Sequence, residues 1–206
     1  MRKRALLVLL MLAASLSILS AAHDGSIGIT IAPESYWNLD ASTNSGNTKL
    51  YLMVDGANYW GRTHSFGIEY GIGTAFYLNT WNGNTTLSYD DFREAFVFTI
   101  GPGYRFELSD MIGINAGLGF RGRLTGWSGA SSTGESTNIS YNFDFYGKVA
   151  ADFTFFKHLR VDAGIMIGCP IAPETVFRFS SDDFIVDNYD NQAFFLVPFV
   201  GISFAY

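Results

Sequence analysis

Residues 193–206, AFFLVPFVGISFAY, constrain this chain more than any other stretch. Every second residue from Phe194 is apolar: Leu196, Pro198, Val200, Ile202, Phe204 and Tyr206. Gly201, Ser203 and Ala205 between them are small. A period of two marks a strand, because successive side chains of an extended backbone point to opposite faces. A sheet in water buries its large apolar face and shows the polar one. Here the large face carries no charge, and the other face is small enough to line a narrow interior. Such a strand fits a position with hydrocarbon outside it.

Seven more segments repeat the pattern. In 25–32, Ile27, Ile29 and Ile31 oppose Gly28 and Thr30. In 49–59, Leu50, Leu52 and Val54 oppose Tyr51, Met53 and Asp55. In 66–78, Phe66, Ile68, Tyr70, Ile72 and Phe76 oppose Gly67, Glu69, Gly71, Gly73 and Ala75. In 92–106, Phe96, Phe98, Ile100, Pro102 and Tyr104 oppose Thr99, Gly101, Gly103 and Arg105. In 111–124, Ile112, Ile114, Leu118 and Phe120 oppose Asn115, Gly117, Gly119, Arg121 and Arg123. In 141–155, Phe143, Phe145, Val149 and Phe153 oppose Asp144, Tyr146, Lys148 and Asp152. In 159–169, Val161, Ala163, Ile165 and Ile167 oppose Asp162, Gly164 and Met166. Most are long enough for a tilted strand to cross a bilayer, which takes about 9–11 residues.

The connections alternate in length. Long ones at 37–48, 79–91, 126–140 and 170–192 separate short ones at 60–65, 107–110 and 156–158. Eight strands with both ends on one side of a membrane put every long loop on the far side. Aromatic residues sort to match. Trp60, Phe66, Tyr104, Phe106, Phe155 and Tyr206 fall at the short-turn edge; Tyr36, Trp37, Phe76, Trp81, Phe92, Trp127, Tyr141 and Phe194 fall at the other. Amphipathic rings favour the two levels where hydrocarbon meets headgroups. The expected fold is all-β: an eight-stranded antiparallel transmembrane barrel, its edges abolished by closure.

The start of the chain supplies an address. Arg2, Lys3 and Arg4 precede an apolar run, 5–19, and Ser20-Ala21-Ala22 has the small-x-small form of a cleavage site. Residues 1–22 read as a secretory signal peptide and 23–206 as the barrel domain. Without the three signal-peptide bases, ten bases face nineteen acids, a net charge of −9. That balance argues against nucleic acid as a partner. Cys169 is the sole cysteine, so no intrachain disulfide forms. After the signal, no run is long and apolar enough for a transmembrane helix, whereas 19 Phe, 11 Tyr and 22 Gly suit a membrane barrel.

Gly201, Phe204 and Tyr206 resemble the C-terminal assembly signal of bacterial outer-membrane β-barrels; the departure is Phe199, where a polar residue is usual. With the strand pattern, nearly all of 23–206 resembles the small eight-stranded barrels of the OmpA-membrane-domain, OmpX and OmpW kind. The resemblance implies insertion by the barrel assembly machinery. It also implies a monomer in outer-membrane lipid, both termini periplasmic and the long loops extracellular.

The inward face holds the candidate sites. Asp55, Glu69, Asp144, Asp152 and Asp162 face Arg93, Arg105, Arg121, Arg123 and Lys148. Eight strands enclose room only for side chains, so these charges are expected to plug the lumen rather than conduct. Tyr51, Met53, Tyr77, Val97, Tyr146, Met166, Phe195, Val197 and Phe199 are expected in the external half, an apolar vestibule above a charged floor. A small hydrophobic ligand would suit it, as the OmpW resemblance implies, and Pro102 and Pro198 would interrupt the wall beside it. No catalytic group is expected: His23, His64 and His158 fall at the chain start or short-turn end, away from the external serines. No cofactor or metal is expected. Asp182, Asp183, Asp187 and Asp190 lack calcium-loop spacing. The runs 175–179 and 184–186 are expected to form a protruding hairpin whose edge could pair with a partner. The chain thus reads as a non-enzymatic surface protein, or alternatively as a carrier of small hydrophobic compounds.

Overall fold

Alternation along the sequence becomes alternation between wall and lumen. The computed structural model describes residues 24–38, 45–82, 85–87, 94–131, 134–156, 158–179, 184–189 and 193–206. The expected signal peptide lies outside them, as do Arg93, Phe92 and the side chains of Tyr77, Trp81 and Trp127. The strands are β1 (Asp24–Asn38), β2 (Ser45–Gly61), β3 (His64–Asn82), β4 (Thr85–Leu87), β5 (Glu94–Ser109), β6 (Ile112–Ser131), β7 (Gly134–Phe155), β8 (Leu159–Pro170), β9 (Glu174–Phe179), β10 (Phe184–Tyr189) and β11 (Ala193–Ala205).

Eight of them close a ring in the order β1-β2-β3-β5-β6-β7-β8-β11, with β11 returning to β1. Every pairing is antiparallel. Closure runs to the last residue: Tyr206 N donates to the Gly25 carbonyl at 3.0 Å, and Gly25 N donates back at 3.3 Å.

Burial is inverted relative to a protein in water. Ile29, Leu52, Phe98, Phe120, Val149, Ile165 and Val200 are exposed on the outer wall, while Glu34, Asp144 and Asp152 are fully buried. The side-chain parity expected from sequence holds for the eight barrel strands. Large single apolar patches are rare on soluble monomers. A continuous belt of them, over a ring with no unpaired edge, is the transmembrane solution.

Short turns close one end. Arg62-Thr63 links β2 to β3 after Gly61, whose φ of +139° favours glycine. Residues 156–158 link β7 to β8 through Phe156, at φ 50° and 91% exposed.

The other end departs from expectation. Residues 126–140, expected as a loop, are mostly a paired hairpin extending β6 and β7, with the ladder running out to Ser131↔Gly134. The expected hairpin exists as β9 and β10, and β9 also pairs with β7 from Thr137↔Phe179 to Tyr141↔Thr175. A four-stranded sheet, β6-β7-β9-β10, thus continues past the barrel end. Apolar periodicity misses such a hairpin because the backbone ladder needs no apolar face when solvent surrounds it. Tyr36 also departs from the expected aromatic edge. It is buried, facing inward above the lumen.

Candidate functional site: the charged lumen

Inward-facing positions gather into three charged layers. In the outermost, Arg121 and Arg123 stand on β6 opposite Asp144 on β7. Arg121 Nε donates to Asp144 Oδ2 at 2.8 Å, and Arg123 Nη2 donates to Oδ1 at 3.1 Å. Arg121 also pairs with Glu34 of β1. Lys49 Nζ lies 3.8 Å from the same carboxylate, and the Tyr51 hydroxyl donates to it at 3.4 Å. The Arg121 guanidinium sits 3.6 Å from the Phe195 ring centre, a cation–π contact. Glu34 and Lys49 escaped the sequence reading. The apolar run of β1 ends at Ala32, yet the even-numbered parity of Thr30 and Ala32 continues to Glu34.

The middle layer joins Lys148 to Glu69, which also accepts the Tyr59 hydroxyl. Thr30 Oγ1 donates to Asp55 Oδ2 at 2.9 Å. Gly201 makes room here: a Cβ on it would lie 2.6 Å from Thr30 Oγ1 and 2.7 Å from Asp162 Oδ1.

The third layer centres on Arg105. Its guanidinium meets Asp24 at 2.5 Å, Glu107 at 2.6 Å and Asp152 at 2.9 Å. Asn115 Nδ2 donates to Asp152 at 2.9 Å, and Arg160 donates to Asp24 at 2.9 Å. Of the candidate charged residues, Glu69, Arg105, Arg121, Arg123, Asp144, Lys148 and Asp152 are ion-paired, Asp55 accepts from Thr30, Asp162 lies beside Gly201, and Arg93 lies outside the described residues.

The apolar candidates occupy the level between the first two layers. Tyr51, Met53, Val97, Tyr146, Met166, Val197 and Phe199 line a cavity of about 50 Å³ that reaches down to Asp55, Glu69 and Lys148. Phe195 lies beneath Arg121. The expected vestibule over a charged floor is corrected accordingly: the apolar layer is roofed by the Glu34–Arg121–Asp144 cluster. Glu34 closes that roof from β1, two residues beyond Ala32. The cavity has room for about three to five waters, since one needs roughly 10–15 Å³.

Two interruptions thin the wall. The β5–β6 ladder skips from Ile100↔Phe120 to Gly103↔Gly117, where Pro102 has no N–H to donate. The β1–β11 ladder skips from Ile31↔Val200 to Ser35↔Leu196, the stretch holding Pro33 and Pro198. Outside the first lies a wall groove of about 550 Å³, lined by Phe66, Pro102, Leu118, Val149, Ile165 and Ile167 among others.

The terminal signal is built into the wall. The Tyr206 hydroxyl donates to Asn58 Oδ1 at 2.8 Å, and Asn58 Nδ2 donates to the Tyr70 hydroxyl at 3.3 Å. Phe204 stacks on His158 at 5.3 Å, and His64 stacks on Phe106 at 4.8 Å. Both histidines thus serve the short-turn edge. Among the described residues no group of metal-ligand type is gathered.

This ring of eight tilted strands around a filled, charged lumen is the fold of the small outer-membrane β-barrels. OprG from Pseudomonas aeruginosa has it, at TM-score 0.54 and 13% identity over 90% of this chain and 96% of that one. So do a major outer membrane protein from Thermus thermophilus (0.55, 11%, 86% and 99%) and Ail, the attachment invasion locus protein of Yersinia pestis (0.51, 7%, 90% and 99%). At these identities the likeness is one of fold. No protein-family model matches the sequence, and no curated protein does.

Proposed function

We propose that this chain is an integral protein of a bacterial outer membrane, non-enzymatic, monomeric and closed through its centre, whose work is done at its outer surface. The observation carrying this reading is the lumen: among the described residues, three charged layers of paired side chains fill it, with a cavity of about 50 Å³ between the first two and one of about 60 Å³ at the mouth. The short turns face the periplasm, the β6-β7-β9-β10 sheet stands outside, and the end clasped by Tyr206 is what the barrel assembly machinery reads. Planar-bilayer recording of the refolded protein tests the closure. Quiet traces are expected at both polarities. Steady, voltage-independent steps would mean that the charged layers part, and would replace a surface role with a channel.

A second reading has its own support. The ladder gap at Pro102 and the apolar groove outside it would suit a small hydrophobic compound moving between wall and leaflet, as a carrier of such compounds requires. Mass spectrometry of protein extracted in mild detergent distinguishes the two. A bound apolar molecule lost on Leu118→Arg would favour the carrier.

A further inference from the structure

The sheet that rises above the barrel has two unlike faces. β7, β9 and β10 lie in register, so side chains sort by row. One face carries Tyr141, Ile139, Phe177, Phe179, Phe184 and Val186, with Thr137 at its tip and the hydrogen-bonded Thr175 and Asn188 beside Tyr141. The other carries Asn138, Ser140, Glu174, Arg178 and Asp187, with Val176 and Ile185 among them; Arg178 and Asp187 form a half-exposed ion pair at 3.7 Å. The apolar face lies on the side of the lipid-facing wall. Its rings form an unbroken path from the belt: Phe98 to Phe143 at 6.4 Å, Phe143 to Tyr141 at 5.8 Å, Tyr141 to Phe177 at 5.9 Å, Phe177 to Phe184 at 6.3 Å and Phe184 to Phe179 at 5.1 Å. Phe179, Phe184 and Val186 are exposed at 43%, 58% and 45%.

Height separates this face from the hydrocarbon. A strand tilted by about 40° climbs roughly 2.5 Å per residue. Phe153 to Phe143 therefore spans about 25 Å, the usual height of the apolar band. Ile139, paired to Phe177, stands four residues beyond Phe143, about 10 Å above that band. Acyl chains do not reach it.

We propose that the Tyr141–Phe177–Phe184 face docks on the saccharide headgroups of outer-leaflet glycolipid, so that the protein grips lipid above as well as within the hydrocarbon. The proposal rests on the outer-membrane reading above. It is argued from continuity with the lipid-facing belt. Aromatic rings are suited to this layer, with an apolar face for the C–H faces of sugars and tolerance of a wet surround.

Spin labels test it. In a Cys169→Ser background, Phe184→Cys and, separately, Asp187→Cys are labelled with a nitroxide. Each protein is folded into vesicles of phosphatidylcholine alone or of phosphatidylcholine with lipopolysaccharide. Collisions with an aqueous nickel chelate are then measured. At 184, lipopolysaccharide should lower nickel access at least threefold, with little change at 187. Val186→Cys gives a second reporter on the same face should the 184 variant fold poorly. Equal access at 184 and 187 in both vesicles overturns the proposal. Equal shielding in both vesicles at 184 assigns the face to phospholipid and overturns the sugar assignment. Label–label broadening that vanishes on dilution with unlabelled protein gives the face to a second copy. Folding of all variants, read by the heat-modifiable gel shift, is independent of these outcomes; its loss for every variant would instead count against the barrel reading itself.

Discussion

Asp144→Asn keeps the shape of a fully buried side chain and removes its charge. In the native lumen Asp144 receives Arg121 Nε at 2.8 Å and Arg123 Nη2 at 3.1 Å. Arg121 retains Glu34 after the change. Arg123 does not; among the described residues Asp144 is the only carboxylate paired with it. The outer layer then holds Lys49, Arg121 and Arg123 with Glu34 as their one ion-paired acid, Glu174 lining the mouth beyond them. Removing one member of a buried pair costs about 3–5 kcal/mol, because the survivor stays desolvated and uncompensated. Retention of Glu34 puts the expectation near the lower end, about 3 kcal/mol. Arg123→Met in the same background takes away the stranded cation and should return about 1–3 kcal/mol as a coupling energy. Urea titration of protein folded in phosphatidylcholine vesicles, followed by tryptophan fluorescence and the heat-modifiable gel shift, gives both numbers. A loss below about 1 kcal/mol for the single variant, or additive losses for the pair, would refute the reasoning. Water, and not the carboxylate, would then be solvating the guanidinium groups.

Ile165→Arg places a cation on the outer wall and should cost about 2–4 kcal/mol in the same vesicle assay. Gly164→Ser, which faces inward, will not be mild as parity alone suggests: a Cβ there would lie 2.6 Å from the Ala150 Cβ and 2.7 Å from the Phe199 ring. Overpacking of that kind costs about 1–3 kcal/mol, so the two should be comparable, and a silent serine would mean that Phe199 has another position. Tyr206→Phe removes only the hydrogen bond to Asn58 and should cost about 0.5–1.5 kcal/mol. Tyr206→Ala should lower the yield of folded barrel in refolding kinetics well beyond that, and equal behaviour of the two variants would deny the ring any part in closure.

The wall was readable from the sequence because hydrocarbon imposes one rule on every outward position. Ile29, Leu52, Phe98, Phe120 and Ile165 obey it wherever they fall. The lumen follows a weaker rule. Charge, hydroxyl, aromatic ring and glycine are all admitted there, provided that partners meet across the ring. Asp55, Glu69 and Arg105 could be placed inside by parity. That Arg105 would find Asp24 and Asp152, or Arg121 find Glu34, depends on barrel stagger, which no single strand encodes. Glu34 was missed for a related reason: Pro33 ends an apolar run without ending the strand, because a proline can sit at an interrupted ladder. Beyond the belt the rule disappears, and Thr137 or Ser136 can pair in a hairpin without any apolar alternation to announce it.

The order of charge through the lumen bears on which surface is left to work. Among the described residues, the outer layer sets Lys49, Arg121 and Arg123 against Glu34 and Asp144, and Glu174 lines the same mouth as Lys49 and Arg123, so its formal charges balance. The middle layer sets Lys148 against Asp55, Glu69 and Asp162, a surplus of two negative charges when all are ionised. The innermost sets Arg105 and Arg160 against Asp24, Glu107 and Asp152, a surplus of one negative charge. Widening the path would separate paired charges that are costly to strand singly. The network that fills the barrel therefore resists rearrangement. On the surface role proposed above, exchange with the surroundings falls to the outer wall and to the sheet above it. There the side chains are exposed, and the groove beside Pro102 and the aromatic face of β9 and β10 offer surface without disturbing a single lumenal pair.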